Sequence, residues 1–423
     1  MQWVVSRLNA RGRSFPARAL AVMMLLTGVA VCRSIRAEFV EDWGRNDNGE
    51  IGNGTTTTTP PYGVGAPVAV TSLSNGVTSI AAGAAHGLAI QNGGVYAWGA
   101  NGNGELGNGT TTDSSTPVAV NNLSSGVTAI AGGQGFSLAI QNGGAYSWGW
   151  GVNGQLGDGS YSSGTETPVP IVGLSSGVTA IAAGGYHGLA IQNGSAYAWG
   201  YNGNGGLGDG TTMGSSTPVA VSNLTSGVTA MAGGGAHSLA IQNGGAYAWG
   251  WNAYGQLGNG TTTDEDSPVA IGGLSSGVTA IAAGYCHSLA VMNGGVYSWG
   301  YNSYGQLGNG TTTDSSTPIH IDPADLTNIV SVAAGYDSSF ALSSDGSLWV
   351  WGDDYNGELG LGTTESDYLT PQHLLPPTGY VFTSIDANSF GNYAIATLTT
   401  VPEPDSLALL ALTGVAILAR RRG

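Results

Sequence analysis

The sequence predicts an all-β protein: a seven-bladed propeller of four-stranded antiparallel blades, with a short C-terminal transmembrane helix appended. Three observations carry this. The pair Trp-Gly recurs at Trp43, Trp98, Trp148, Trp199, Trp249, Trp299 and Trp351, in steps of 55, 50, 51, 50, 50 and 52 residues. A period of about 50 with strand-like content is the mark of a propeller or another repeat array. Each repeat holds four short strand-like runs, and the chain's 73 glycines serve the turns between them. Inside the repeats no long interval has the spacing of an amphipathic helix.

One unit, Val127 to Thr179, shows the elements in order. The run Val127-Thr128-Ala129-Ile130-Ala131 is the first strand, and Phe136-Ser137-Leu138-Ala139-Ile140 follows as the second. Asn142-Gly143 separates the second strand from Ala145-Tyr146-Ser147-Trp148. An Asn-Gly pair between two such runs signals a tight hairpin, because both central turn residues need positive φ. A polar stretch leads to a fourth strand at Thr167-Pro168-Val169-Pro170-Ile171. Its prolines suit an edge strand, where a missing N–H donor costs least. The strands are apolar or small on both sides, as in sheets covered on both faces.

The termini supply the last blade. First-half runs of the Val-Thr-Ala-Ile-Ala-Ala-Gly type occur seven times, the last at Val381–Ala387, followed by Tyr393–Thr397. The missing outer half lies at Phe39–Gly44 and Pro67–Val70. Pairing the N- and C-terminal strands closes the ring and removes a sheet edge that would otherwise invite aggregation.

These residues resemble a known family. Trp249-Gly250-Trp251-Asn252-Ala253-Tyr254-Gly255-Gln256-Leu257-Gly258, its counterpart from Trp299 to Gly308, and Ala282-Ala283-Gly284-Tyr285-Cys286-His287-Ser288-Leu289-Ala290 look like regulator of chromosome condensation repeats. The resemblance recurs in every unit and implies a seven-bladed propeller over residues 38–400. Kelch repeats share the period but lack the Trp-Gly-x-Asn-x-x-Gly-x-Leu-Gly continuation. Nucleotide exchange on a nuclear GTPase, the family's best-known activity, is not expected here. From Glu38 to Thr400 there are 24 acidic residues against the single basic Arg45, a net of −23, and the chain has no lysine. Nucleic-acid affinity rests on Lys and Arg neutralising phosphates, so no nucleic-acid partner is expected. The family also includes secreted bacterial propellers that bind protein partners on the propeller face.

Both ends point to export. Arg7, Arg11, Arg13 and Arg18 precede the apolar run Ala19 to Cys32, so residues 1–37 read as a secretory signal peptide. With the leader removed only Cys286 remains, and the exported domain has no internal disulfide. At the other end Pro402, Glu403 and Pro404 precede the apolar run Leu407 to Ala419 and then Arg420, Arg421 and Arg422. Residues 401–423 resemble a bacterial PEP-CTERM sorting signal: a Pro-Glu-Pro motif, a short transmembrane helix and a basic tail on the cytoplasmic side. That resemblance implies an exosortase-type processing enzyme as partner, an inner-membrane-anchored intermediate, and release to the surface of a Gram-negative, exopolysaccharide-producing bacterium. A simple C-terminal anchor is the alternative.

Several features tempt a site assignment. His86, His187, His237 and His287 recur at one repeat position, with Phe136 and Asp337 taken to stand there in other repeats. One histidine per blade at a fixed strand position reads as a repeat feature, so no metal is expected. The Asn-Gly-Thr triplets at Asn53, Asn108, Asn259 and Asn309 alternate with Asp158 and Asp209, which marks a turn and not a glycosylation site. Asp353 to Glu358 lacks the spacing of a calcium loop. No cofactor is expected, and no nucleophile–base set or phosphate loop points to an enzyme.

The informative variation follows each Trp-Gly. Trp150, Tyr201, Trp251 and Tyr301 occupy one equivalent point in four neighbouring blades, and Tyr254 and Tyr304 lie three residues further on. If these loops share a face they form an aromatic arc suited to sugar rings or a protein surface; otherwise they fill gaps between blades. The expected function is a non-catalytic binding module for a protein or polysaccharide partner at the cell surface. The alternatives are a structural component of the extracellular matrix and an unrecognised enzyme activity.

Overall fold

The computed structural model describes residues 39–401 except 322–325 and 365. Their strands form seven antiparallel sheets of four. Blade 1 comprises Val77–Ala82, His86–Gln91, Gly94–Gly99 and Ser114–Ala119, from the inside outwards. Blades 2 to 6 repeat that order and begin at Val127, Val178, Val228, Val278 and Ile329. Blade 7 is assembled from both ends: Tyr380–Ala387 and Tyr393–Thr400 form its inner half, Phe39–Arg45 and Gly63–Ala69 its outer half. Trp43 pairs with Ala394 and Phe39 with Leu398, so the ring closes as the two half-blades in the sequence require.

Local chemistry sets each turn. Asn142 and Gly143 take φ of 53° and 80°, the left-handed pair that matches strand twist in a two-residue hairpin. Blade 6 departs from this and turns on Ser344–Gly346, with Gly346 at φ 87°. Every outermost strand carries a proline, from Pro67 in blade 7 to Pro371 in blade 6, where no further strand seeks its missing donor.

The core lies between blades. Leu88, Ile90, Val95 and Ala97 of blade 1 pack against Trp148 of blade 2, and the same arrangement recurs around the ring. All seven Trp-Gly tryptophans are 0% exposed. Each ring spans a blade interface: Trp148 Nε1 donates to the Glu105 carbonyl at 2.7 Å, and Trp43 Nε1 to that of Glu358 at 2.8 Å. The repeated tryptophan therefore fastens each blade to the one before it.

Among the described residues no helix is long and apolar enough to cross a membrane. The run expected to do so, Leu407 to Ala419, lies outside them, as does the expected signal peptide at residues 1–37.

Candidate functional site

Strand order puts two sets of loops at one end of the ring. The loops joining first to second strands, and those joining third to fourth, open on the same face. The second set follows each Trp-Gly and carries the residues of the expected aromatic arc. Tyr201, Tyr254 and Tyr304 are 41%, 36% and 39% exposed, while Trp150, Trp251 and Tyr301 are half-buried. None of the six is a core residue.

The first set adds rings that sequence reasoning missed. Trp150 packs edge-on against Tyr186 at 5.8 Å, and Tyr186 against Tyr201 at 6.2 Å. Trp251 meets Tyr285 at 6.1 Å and Tyr254 at 5.7 Å. Phe390 lies between the two groups, 5.4 Å from Tyr186 and 4.9 Å from Tyr285. Tyr336 stacks on Tyr285 at 4.4 Å. Together Trp150, Tyr186, Tyr201, Trp251, Tyr285 and Phe390, with Asn153 and Asn204, line a groove of about 470 Å³. Tyr301 is outside its lining but continues the track through Tyr254 at 4.8 Å and Tyr304 at 6.3 Å.

Phe390 reaches the ring centre because blade 7 has a longer first loop. Residues 388–392 separate its inner strands, against 83–85 in blade 1. Asn388, buried, donates its side-chain amide to the Gly132 carbonyl of blade 2 at 2.6 Å and accepts from Phe390 N at 2.8 Å. That pair ties the inserted loop across the end of the central channel, a cavity of about 240 Å³ lined by the inner strands and by Asp386 and Ser389. Gly185 leaves the space that the Phe390 ring occupies, and Gly235 does so for Tyr285. A legible signal for these rings existed: Tyr186 stands one residue before the histidine position, where other blades have Ala85, Gly135 and Ala236, and Tyr285 and Tyr336 stand two before it, where other blades have Ala84, Gly185 and Gly235.

The histidines are elsewhere and buried. His86 Nε2 lies 2.9 Å from Ser137 Oγ of the next blade, and His187, His237 and His287 repeat the contact with Ser238, Ser288 and Ser339. Each serine gives its only proton to a backbone carbonyl, Ser137 to that of Glu105 at 2.9 Å. The histidine must therefore donate from Nε2, which makes it a blade-to-blade strut, and burial keeps the ring neutral. Burial pushes His86 and His187 down to about 4 and His237 and His287 to about 3. Where the next blade has glycine, Gly188 or Gly87, the strut is replaced by the larger Phe136 or Tyr393. One expected equivalence is corrected here. Ser338, not Asp337, occupies the histidine position in blade 6, since it pairs with Gly352 as His287 pairs with Gly300. Asp337 corresponds to Cys286.

The polar loops spend their side chains on themselves. Asn108 Oδ1 accepts from Thr110 N and Oγ1 at 3.0 and 2.8 Å, and Asp158 and Asp209 do the same for Ser160 and Thr211. Glu358 accepts from Asn356 N and Nδ2, and Asp354 from Leu359 N and Thr363 Oγ1. Among the described residues no group of three or more His, Cys, Asp or Glu is placed to hold a metal ion. Pro402, Glu403, Pro404, Arg420, Arg421 and Arg422 lie outside the described residues.

Comparison with known proteins adds to this geometry. Residues 35–335 match the family model of the RCC1-like domain, and residues 329–358 and 345–392 match the regulator of chromosome condensation (RCC1) repeat. Residues 400–422 match the PEP-CTERM protein-sorting motif. Human WBSCR16 is similar in structure with a TM-score of 0.75, at 23% identity over 86% of this chain and 99% of that one. Prp20p from Saccharomyces cerevisiae also gives 0.75, at 21% identity over 90% and 96% of the two chains. At such identities the likeness is one of fold. The E3 ubiquitin-protein ligase HERC2 of Homo sapiens is 33% identical over 69 residues, which span 16% of this chain and 1% of HERC2.

Proposed function

The chain belongs to the RCC1-like propeller family, and from that premise we propose that it is a non-catalytic binding module, holding a protein or polysaccharide partner in the aromatic groove. The PEP-CTERM motif at residues 400–422 indicates an exported protein sorted to the cell surface and implies processing by an exosortase. The observation that carries the binding proposal is the convergence of six rings from three Trp-Gly loops and three inner loops on one concavity of about 470 Å³. Concave, mostly apolar sites with a few fixed polar groups are where ligands bind, and Trp and Tyr dominate binding energy at interfaces. Asn153 and Asn204 supply the polar groups. The rings are half-buried or exposed and lie outside the buried clusters that hold the blades together.

The test is affinity capture. The full chain and a variant with Trp150, Tyr201, Trp251 and Tyr301 changed to Ala are immobilised and exposed to envelope and secreted fractions of the producing organism. A protein or glycan retained only by the unaltered chain supports the module. Equal retention by both, with the variant's melting temperature unchanged, overturns it and favours a structural component of the extracellular matrix.

A further inference from the structure

We propose that the groove takes a cationic side chain, arginine or lysine, presented by a basic segment of a partner protein. This rests on the binding-module reading and names its ligand chemistry. The first support is shape. Trp150 meets Tyr186, Tyr186 meets Tyr201, and Trp251 meets Tyr285 edge-on at interplanar angles of 66° to 71°, and Phe390 bridges the two groups edge-on to Tyr186 and Tyr285 at 70° and 83°. They form a concavity and not the flat platform on which a sugar ring stacks. A cation entering such a cage trades water for the negative faces of several rings, and the attraction strengthens as the site is dried.

The second support is charge. Asn204 borders the groove and also a second depression lined by Asp264, Glu265 and Asp266. Asn204 Nδ2 donates to Asp264 Oδ2 at 3.0 Å, which ties the groove's edge to that depression, where Glu265 and Asp266 add two further carboxylates. At the far end of the aromatic track Tyr304 borders a depression that holds Asp353 and Asp367. The only lysine or arginine among the described residues is Arg45, and its guanidinium is bound to Asp47 at 2.6 Å. No positive charge of the propeller competes for the groove, and the excess of carboxylates over residues 38–400, a formal net of −23, draws a basic segment toward it. An anionic polysaccharide is repelled by the same field, and a neutral one gains nothing from it.

The probe is a fluorescein-labelled nonapeptide of three Gly-Ser-Arg repeats, paired with the same peptide carrying citrulline, the uncharged isostere, in place of arginine. The full chain in a polyoxyethylene detergent is titrated with each, and cellohexaose serves as the neutral sugar. The arginine peptide should bind, and the citrulline peptide should be weaker on the order of tenfold. Trp150→Ala with Trp251→Ala should cost a similar factor. Changing Asp264→Asn, Glu265→Gln and Asp266→Asn should weaken binding and flatten its salt dependence. Free arginine methyl ester should displace the peptide from the unaltered chain, a readout that needs no variant to fold.

Equal binding of the two peptides overturns the proposal, as does arginine-peptide binding that survives loss of both tryptophans. Aromatic-dependent binding of cellohexaose without the arginine peptide also overturns it while leaving the binding module standing. Binding of no probe overturns the cationic ligand alone, because envelope capture decides the module separately.

Discussion

Trp43 and Glu358 stand 315 residues apart in the chain, and the indole Nε1 of one donates to the carbonyl of the other at 2.8 Å. The contact joins blade 7 to blade 6 at the seam where the chain ends meet. The same bond recurs within the ring, as between Trp98 and the Glu50 carbonyl at 2.7 Å. Closure thus reuses the repeat's own fastening and adds no special device.

Deletion of residues 38–70 should therefore unfold the ring and not merely remove a blade. The loss exposes the edge of Tyr393–Thr400 and opens the packing of Trp43 against Phe382 and Leu398. Loss of the cooperative thermal transition checks this; a retained sharp melt argues against it. Within the full chain, Trp43→Phe should cost about 1 kcal/mol for the lost hydrogen bond. Trp43→Ala should cost roughly 3–5 kcal/mol through the cavity it leaves.

The histidine struts make a second prediction. Ser288→Gly removes the acceptor of His237 and should cost about 1–3 kcal/mol, the penalty of a buried donor left without a partner. Adding His237→Phe copies the Phe136–Gly188 pairing of blades 2 and 3 and should recover part of that loss. Denaturant melts of the two single variants and the double would show favourable coupling; additive losses would refute a paired strut.

Buried carboxylates predict a pH dependence. Burial pushes Glu41, Asp337 and Asp386 up to about 7 and Glu358 up to about 8. Asp42, wholly buried, is also raised well above its ordinary range, by burial first. Unfolded carboxylates titrate near ~4, so these groups bind more protons folded than unfolded between about pH 4 and 8. Their stabilisation is complete at low pH and is lost as pH rises through that window. The four buried histidines act in the opposite sense. They fall from about 6.5 unfolded, so their stabilisation is present above that pH and lost as pH drops toward 4 for His86 and His187 and toward 3 for His237 and His287. The two slopes oppose each other below about pH 6.5, and only the carboxylates act above it. The urea midpoint should fall from pH 6.5 to 8. Asp42→Ser should shrink that fall, because Ser147 and Ser298 at the equivalent position satisfy themselves on the Leu156 and Leu307 carbonyls.

Cys286 is 3% exposed, and burial pushes its thiol far above the usual range. Alkylation at this residue, followed by peptide mass, should be negligible in the native ring and rise in step with unfolding in urea. Rapid native labelling would show that the loop before His287 opens locally.

Blade number, hairpin turns and ring closure were legible because each depends on local chemistry repeated at a fixed period. Asn142-Gly143 can be read as a turn without knowing its neighbours, and seven Trp-Gly pairs count the blades. Half of the groove was legible for the same reason: Trp150, Tyr201 and Trp251 follow a constant motif. Tyr186, Tyr285 and Phe390 were not, since they belong to a different loop of each blade. Phe390 stands far from its neighbours in the chain, on a loop lengthened only in blade 7. The substitution of Ser338 for a histidine was misplaced by one residue, which strand register alone corrects. The burial of Asp42 has no local sign, because it comes from the strands and the neighbouring blade packed around it.

By itself, then, the sequence determined the number of blades, their strands, the way the ring closes and the excess of negative charge, because these follow from periodic local patterns and composition. Only the tertiary structure decided which rings share a concavity, which carboxylates lose their water and which histidines hold neighbouring blades. Those properties depend on distances between residues from different blades, and no spacing along the chain encodes them.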